Sequence, residues 1–113
     1  MKNYVELGKN SSATLKLLRD AAPSAMKGFG GLHHGAMADG ALDVKTKELI
    51  ALAIAVAVRC DGCIAHHARA CVAAGATREE VSEMLGVAVL MGGGPATIYG
   101  ADALLAFDQY KEA

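Results

Sequence analysis

The chain has 113 residues, a formal net charge of -1 and a pI near 6.4. A chain of this length has room for one domain, over residues 1–113, built around one hydrophobic core. The charge balance shows no basic excess of the kind that nucleic-acid or anionic-membrane binding normally requires, which argues against both classes of partner. Apolar residues make up 53% of the chain and aromatic residues only 4%, so a core of small and aliphatic side chains is expected.

The sequence predicts neither a signal peptide nor a membrane-spanning helix. The first residues are too polar to be the centre of a signal peptide, and the longest apolar run, Leu49 to Val58, falls well short of the roughly 20 residues that a membrane-spanning helix needs. A cytoplasmic protein is therefore expected. The three cysteines are an odd number, which argues against a disulfide framework and points to metal or redox chemistry at the closely spaced pair.

The N-terminal third contains weak helix patterns. A short amphipathic helix is predicted over 13–22, where Pro23 interrupts it. A second helix is predicted over 24–31, although its glycines weaken the pattern. Residues 32–42 include the turn signal Asp39-Gly40 and are predicted to be mostly loop.

The clearest helix pattern follows Asp43, which is a good N-cap. Residues 44–59 contain no Gly or Pro, and the part after Glu48 is apolar on every side. Such a helix cannot face water along its length. It is therefore expected to be central, or to be covered by another subunit.

Three further helices are predicted in the second half of the chain. The Asp61-Gly62 dipeptide favours a break, after which residues 63–74 form a helix that begins at the cysteine pair. Thr77 and Glu80 have the spacing of a capping box and begin the next helix. After a glycine-rich break, the last helix covers 96–110. Because no strand pattern competes, the sequence predicts an all-α, single-domain bundle of about five to six helices.

Cys60 and Cys63 have the spacing of a redox-active dithiol. Two sulfurs separated by two residues can close a small disulfide without large backbone movement. At a helix start, free N–H groups and the helix dipole lower the pKa of a thiol. His67 lies one turn after Cys63, so its imidazole could exchange a proton with that thiol. The pattern predicts Cys63 as the attacking sulfur and Cys60 as the resolving thiol.

Two alternatives for the cysteine pair stay open. A zinc site would need four ligands, which could come from Cys60, Cys63, His66 or His67, and the pair His33-His34. The other alternative is a pair of inert, buried cysteines, since free cysteine is among the most buried residue types. Haem attachment is excluded, because it requires a His directly after the second cysteine and Ile64 stands there.

Glu48 lies about 18 Å from Cys60 along its helix, at 1.5 Å per residue, and cannot reach it there. If the cysteine helix folds back antiparallel, His67 approaches Glu48 more readily than either sulfur does. His66 points about 100° away from His67 around the helix and is predicted to be a surface or interface residue. Cys71 is predicted to belong to the core.

The residues around the cysteine pair resemble a known family. Glu48, eleven intervening residues and then Cys60-x-x-Cys63-x-x-x-His67 are similar to the signature of the alkylhydroperoxidase D-like proteins, within the wider carboxymuconolactone decarboxylase family. The resemblance runs from about Thr46 to Ala96. The best-known peroxidase members are longer and carry a His between the two cysteines, where this chain has Asp61 and Gly62.

The resemblance implies an all-helical fold that assembles into homo-oligomers, often trimers or hexamers. It also implies a thiol peroxidase or disulfide reductase that acts on a peroxide or a protein disulfide and regenerates a peroxiredoxin. Cys63 would be oxidised to sulfenic acid, Cys60 would resolve it, and Glu48 and His67 would form the proton relay. No bound cofactor or metal is implied, and the electrons would come from a lipoyl group on a carrier protein or another dithiol donor.

The sequence as a whole therefore predicts an oligomeric, all-α, thiol-dependent oxidoreductase. One rival is a lyase like the lactone decarboxylase that gives the family its name, which would move protons without thiols. The cysteine pair disfavours it. The other rival is a zinc-binding or assembly module without catalysis, suggested by the His and Cys residues and the apolar central helix.

Overall fold

A computed structural model describes all 113 residues, which form six α-helices and no strand. In chain order the helices are α1 (Tyr4–Ala21), α2 (Pro23–Met37), α3 (Val44–Ala57), α4 (Asp61–Ala73), α5 (Arg78–Gly92) and α6 (Gly94–Glu112). The predicted all-α bundle of about five to six helices is confirmed. None of the helices combines the length and apolar character that crossing a membrane would take.

Both N-terminal helices are longer than predicted. α1 begins at Tyr4 instead of residue 13, because the Asn3 side chain caps it by accepting a hydrogen bond of 3.0 Å from the Glu6 N–H. α2 continues to Met37, so the prediction of loop over 32–37 was wrong. The glycines of α2 cost helix stability, about 1 kcal/mol each, but no proline follows to block the next turn.

The predicted helix signals of the second half are present in the structure. Asp43 caps α3 by accepting a 2.8 Å hydrogen bond from the Thr46 N–H. Thr77 and Glu80 form the reciprocal hydrogen bonds of a capping box at the start of α5. Gly75, which follows α4, has a φ of 82° and takes the left-handed conformation that ends many helices.

The turn between α3 and α4 sits earlier than predicted. α3 ends at Ala57, and Arg59 adopts a left-handed φ of 59° in the connection. Cys60 is the N-cap of α4, so Asp61 and Gly62 are helical where the prediction placed a break. An acidic residue in the first turn interacts favourably with the helix dipole, which outweighs the turn tendency of the Asp-Gly pair.

The core lies among α3, α4, α5 and α6, with α1 packed along α4 and α6. As expected from the composition, small side chains fill much of it, notably Ala65, Ala68, Ala103 and Ala106. The largest fully buried side chains are Tyr4, Phe107, Leu52, Ile64, Val56 and Val81. Alanine faces allow α4 and α6 to approach closely, which fixes α4 and its cysteines against a rigid neighbour.

One face of α3 stays uncovered. Leu52, Ala55 and Val56 are buried, but Ile50 and Ile54 are exposed on the opposite face. α3 is therefore not central on all sides within one protomer. Other large apolar side chains are exposed as well: Leu17, Leu18, Phe29, Leu32, Val58, Val87, Leu90, Met91 and Ile98.

The segment before α1 is fastened to α6. The Tyr4 N–H donates a 2.7 Å hydrogen bond to the Gln109 side chain, which in turn donates to the Lys2 carbonyl at 2.9 Å. The Tyr110 hydroxyl donates to the Tyr4 carbonyl at 2.9 Å. Because the Tyr4 ring is fully buried, residues 2–4 are held in one place beside the start of α4.

Candidate functional site

Cys60 and Cys63 form a disulfide at the N-terminus of α4, with their Cα atoms 5.2 Å apart. Both residues are half-buried, so the pair lies at the edge of the core rather than inside it. The Cys60 sulfur takes the N-cap position and accepts a 3.2 Å hydrogen bond from the Cys63 N–H. A thiolate at this position would receive the same N–H group and the positive end of the helix dipole.

Glu48 and His67 are in direct contact. Glu48 Oε1 lies 2.7 Å from His67 Nδ1, across the interface between α3 and α4. The expectation that the returning helix would bring His67 to Glu48 is confirmed. Glu48 is only 6% exposed and is the only charged side chain that is buried. A carboxylate that is taken out of water in this way needs a partner, and His67 supplies it.

The contact orients the imidazole of His67. Nδ1 is engaged by Glu48, which leaves Nε2 as the atom for proton exchange with another group. His67 follows Cys63 by four residues on α4, so the two side chains share one face of the helix. A histidine held in this way is a candidate proton acceptor for the Cys63 thiol, and the Glu48 charge would stabilise the resulting imidazolium.

Asp61, between the two cysteines, lies in a polar network that sequence reasoning missed. Its carboxylate accepts hydrogen bonds from the Tyr4 hydroxyl at 2.8 Å and from Lys2 Nζ at 3.0 Å. Lys2 Nζ also reaches Asp102 on α6 at 3.0 Å and lies 5.3 Å from the centre of the Tyr99 ring. No local pattern could have revealed this network, because its members come from both ends and the middle of the chain.

Three histidines are stacked edge to face beside the Glu48 contact. The ring centres of His66 and His67 are 4.8 Å apart, and His33 on α2 lies 5.7 Å from His66. His66 is exposed, as predicted. Loss of hydration around the part of its ring that packs against neighbours, with the proximity of His67 and His33 as further causes, lowers the pKa of His66. His33 lies in the segment that was predicted to be mostly loop, and the longer α2 brings it to this cluster instead.

Cys71 lies two turns beyond Cys63 on the same helix and is fully buried, as predicted. It is a free thiol. Burial, with the nearby Glu48 charge as a second cause, raises its pKa to about 12. A thiol in this environment carries almost no thiolate at neutral pH and is chemically inert.

No group of three or more His, Cys, Asp or Glu side chains is arranged to hold a metal ion. The cysteine pair is joined as a disulfide, and His67 is turned towards Glu48. The ligands that a zinc site would combine are therefore not gathered in this arrangement.

Two solved structures are close to this fold. A carboxymuconolactone decarboxylase family protein from Legionella pneumophila is 48% identical, with a TM-score of 0.92 over 96% of each chain. A carboxymuconolactone decarboxylase family protein from Thermotoga maritima, for which a role in the antioxidative response has been suggested, is 32% identical with a TM-score of 0.82. The match covers 98% of this chain and 92% of that one.

Two relatives match by sequence. An uncharacterised protein from Cupriavidus necator is 43% identical over 91 residues, which is 80% of each chain. An uncharacterised protein of the cox locus of Paracoccus denitrificans is 37% identical over 103 residues, covering 91% of this chain and 93% of that one. The profile of the carboxymuconolactone decarboxylase family matches residues 23–106. The chain belongs to the carboxymuconolactone decarboxylase family.

Proposed function

We propose that the protein is a thiol-dependent antioxidant oxidoreductase, acting as a peroxidase or a disulfide reductase through Cys60 and Cys63. One observation carries the proposal: the disulfide at the start of α4 has a histidine one turn away, and that histidine is oriented by a buried carboxylate. A purely structural disulfide would need no such pair. A lyase that moves protons without thiols would have no use for the two sulfurs.

In the peroxidase reaction, Cys63 acts first. His67 accepts the thiol proton of Cys63, and Glu48 stabilises the imidazolium. The thiolate attacks one peroxide oxygen, so that an S–O bond forms while the O–O bond breaks. The departing alkoxide or hydroxide takes the proton from His67. Cys63 is then a sulfenic acid, oxidised by two electrons.

Cys60 completes the cycle. Its thiol loses a proton, and the thiolate, stabilised by the Cys63 N–H, attacks the Cys63 sulfur. The S–O bond breaks, and the hydroxyl group takes up the proton released by Cys60 and leaves as water. The Cys60–Cys63 disulfide that forms is the state seen in the structure. With a protein disulfide in place of the peroxide, the reduced pair donates the same two electrons by thiol–disulfide exchange.

A dithiol must return the two electrons. A dihydrolipoyl group on a carrier protein, or another dithiol, would attack the disulfide, form a mixed disulfide and leave as its own disulfide. A peroxiredoxin is the corresponding protein substrate. This chemistry needs a compartment in which thiols are kept reduced, which fits a cytoplasmic protein.

A homo-oligomer, such as a trimer or hexamer, is part of the same proposal. What supports it is the number of large apolar side chains left in solvent on α1, α2, α3 and α5, including Leu17, Phe29, Ile54 and Leu90. Soluble monomers rarely expose apolar patches of great extent.

To test this, the reduced protein is alkylated either before or after treatment with hydrogen peroxide. Mass spectrometry then gives the number of free thiols in each sample. Wild type should lose two of its three thiols as a Cys60–Cys63 disulfide, and a dihydrolipoyl compound should restore them. Cys63→Ser should form no intramolecular disulfide. Cys71→Ala is the matched control and should still lose two thiols.

The same samples test the rival functions through their metal content. Stoichiometric zinc with unreactive thiols would overturn the proposal in favour of a metal site. Thiols that stay unchanged without metal, both with hydrogen peroxide and with a protein disulfide such as that of an oxidised peroxiredoxin, would overturn it in favour of a proton-transferring lyase or an assembly module.

A further inference from the structure

Asp61 is the residue next to Cys60, and its carboxylate is fixed from two sides. The Tyr4 hydroxyl donates to Oδ1 at 2.8 Å, and Lys2 Nζ lies 3.0 Å from Oδ2. The same ammonium group pairs with Asp102 at 3.0 Å. A negative charge therefore belongs to the residue that follows Cys60, and the Lys2 ammonium group is shared between this carboxylate and that of Asp102.

The groups that hold Asp61 are themselves anchored. Gln109 bridges the Tyr4 N–H and the Lys2 carbonyl, and Tyr110 bonds the Tyr4 carbonyl. Burial, helped by the hydrogen bond to Asp61, raises the pKa of Tyr4, so its hydroxyl stays a donor at neutral pH. The hydrogen bonds from Lys2 to Asp102 and Asp61 raise the pKa of Lys2, so the cation stays charged.

We infer that Asp61, Lys2 and Tyr4 are positioning residues that set the acidity and the reduction equilibrium of the Cys60–Cys63 dithiol. Asp61 and Lys2 change both properties in opposite directions. The inference rests on the proposed function, since it concerns the same thiols. Arg59 and Asp61 flank Cys60 in the sequence, and Lys2, Tyr4 and Asp102 belong to the hydrogen-bond network of Asp61. The contact between Glu48 and His67 lies one turn further along α4, beside the exposed His66. Among these, Asp61 is the only one between the sulfurs in sequence.

The direction follows from the charges. The Asp61 carboxylate opposes formation of a thiolate nearby, while Lys2 favours it and also offsets Asp61. A more acidic thiol stabilises the reduced protein at neutral pH and makes the disulfide easier to reduce. Asp61→Asn should therefore make the disulfide easier to reduce, and Lys2→Gln should make it harder.

The first measurement uses chemically reduced protein and needs no peroxide or electron donor. The thiolate absorbance is followed with pH to give the pKa of the more acidic thiol of the pair. We expect this pKa to fall in Asp61→Asn and to rise in Lys2→Gln. Tyr4→Phe should raise it by a smaller amount, because it frees the carboxylate without removing a formal charge.

The second measurement is the equilibrium of the pair with a glutathione redox buffer. Each charge change should shift the equilibrium constant by about three- to tenfold, in the two opposite directions. Lys16 and Asp20 form an exposed ion pair of 2.8 Å on α1, so Lys16→Gln and Asp20→Asn make the same charge changes away from the cysteines. These matched controls should stay at the wild-type value.

Shifts of the thiol pKa in opposite directions in Asp61→Asn and Lys2→Gln distinguish an electrostatic role of the network from a structural one. If the network only stabilised the start of α4, both variants would lower the unfolding temperature and move the thiol pKa the same way or not at all, which would overturn the inference. If the thiol pKa and the equilibrium constant with glutathione of the two variants match those of the controls, the inference fails. The proposed function still stands in that case, provided that the wild-type thiols are oxidised by peroxide and restored by a dithiol. If wild type does not cycle but the pKa shifts occur, only the proposed function fails.

Discussion

The two ends of α4 hold the same residue type in opposite chemical states. At the N-terminus, Cys60 and Cys63 are half-buried and joined as a disulfide, and the Cys63 N–H donates a hydrogen bond to the Cys60 sulfur. Two turns later, Cys71 is fully buried, and its thiol pKa is raised to about 12. The position along one helix thus separates a half-buried disulfide from a buried thiol.

The contrast shows that Glu48 acts differently on the two ends. It contacts His67 and can support a proton relay towards Cys63, but its charge adds to the burial that keeps Cys71 protonated. In the predicted relay, Glu48 would help Cys63 to ionise through His67, while the same charge raises the pKa of Cys71.

The largest predicted effect is on alkylation of the reduced protein. Because alkylation requires the thiolate, Cys71 with its pKa of about 12 should react about a thousandfold more slowly at neutral pH than a thiol of ordinary acidity. Peptide mapping after timed iodoacetamide exposure measures the rates at all three cysteines. In denaturant the three rates should become similar. A fast-reacting Cys71 in the folded protein would remove the contrast.

The next effect concerns the relay. Glu48→Gln keeps a group that can hydrogen-bond to His67 but removes the charge that stabilises the imidazolium. We expect the rate of disulfide formation with peroxide to fall about ten- to a hundredfold. Glu83→Gln, at an exposed position on α5, is the control for loss of one acidic charge. Equal rates in the two variants would show that Glu48 plays no part in the chemistry.

A smaller effect is expected on stability at the inert end. Cys71→Ser would place a hydroxyl group in an apolar site and should lower the free energy of unfolding by about 1–3 kcal/mol. Chemical denaturation of the reduced protein measures this free energy. The control is Cys71→Ala, whose side chain has no polar atom. Should the serine variant be as stable as the alanine variant, the surroundings of Cys71 would be more polar than the structure indicates.

The smallest effect is the pH dependence contributed by His66. The pKa of His66 is about 6.5 in the unfolded chain and is lower in the folded protein. Below about pH 6.5, the unfolded chain therefore binds the proton more readily than the folded protein does. The stabilisation that this shift represents is fully present above pH 6.5 and is lost as pH falls through the folded-state value. His66→Gln should weaken the decrease in thermal stability between neutral and mildly acidic pH. An unchanged pH profile would contradict the lowered pKa.

Local sequence signals predicted most of the fold correctly. Asp43, the Thr77–Glu80 capping box and Gly75 set helix ends within one or a few residues, because each forms its hydrogen bonds or its backbone conformation within one turn. The failures lie at the N-terminus. Asn3 caps a helix that the apolar pattern alone placed nine residues later, and the glycines of α2 break helices less than their propensity indicates.

Part of the candidate site could likewise be predicted from local sequence, and part of it could not. The spacing of Cys60, Cys63 and His67 defines a helix face from the local pattern alone, and the short connection back from α3 makes contact between Glu48 and His67 predictable. The catalytic roles of these four residues remain predictions. The fold adds the distance of 2.7 Å and the burial of Glu48, which make the pair a unit.

The sequence by itself determined the helices and the dithiol spacing, because both depend on residues within a few positions of one another. Only the tertiary structure decided what surrounds the dithiol. Lys2 and Tyr4 reach Asp61 across 57 or more residues, and His33 reaches His66 across the α2–α4 gap. Contacts of that kind depend on how the helices pack, and packing is a property of the whole fold rather than of any local pattern.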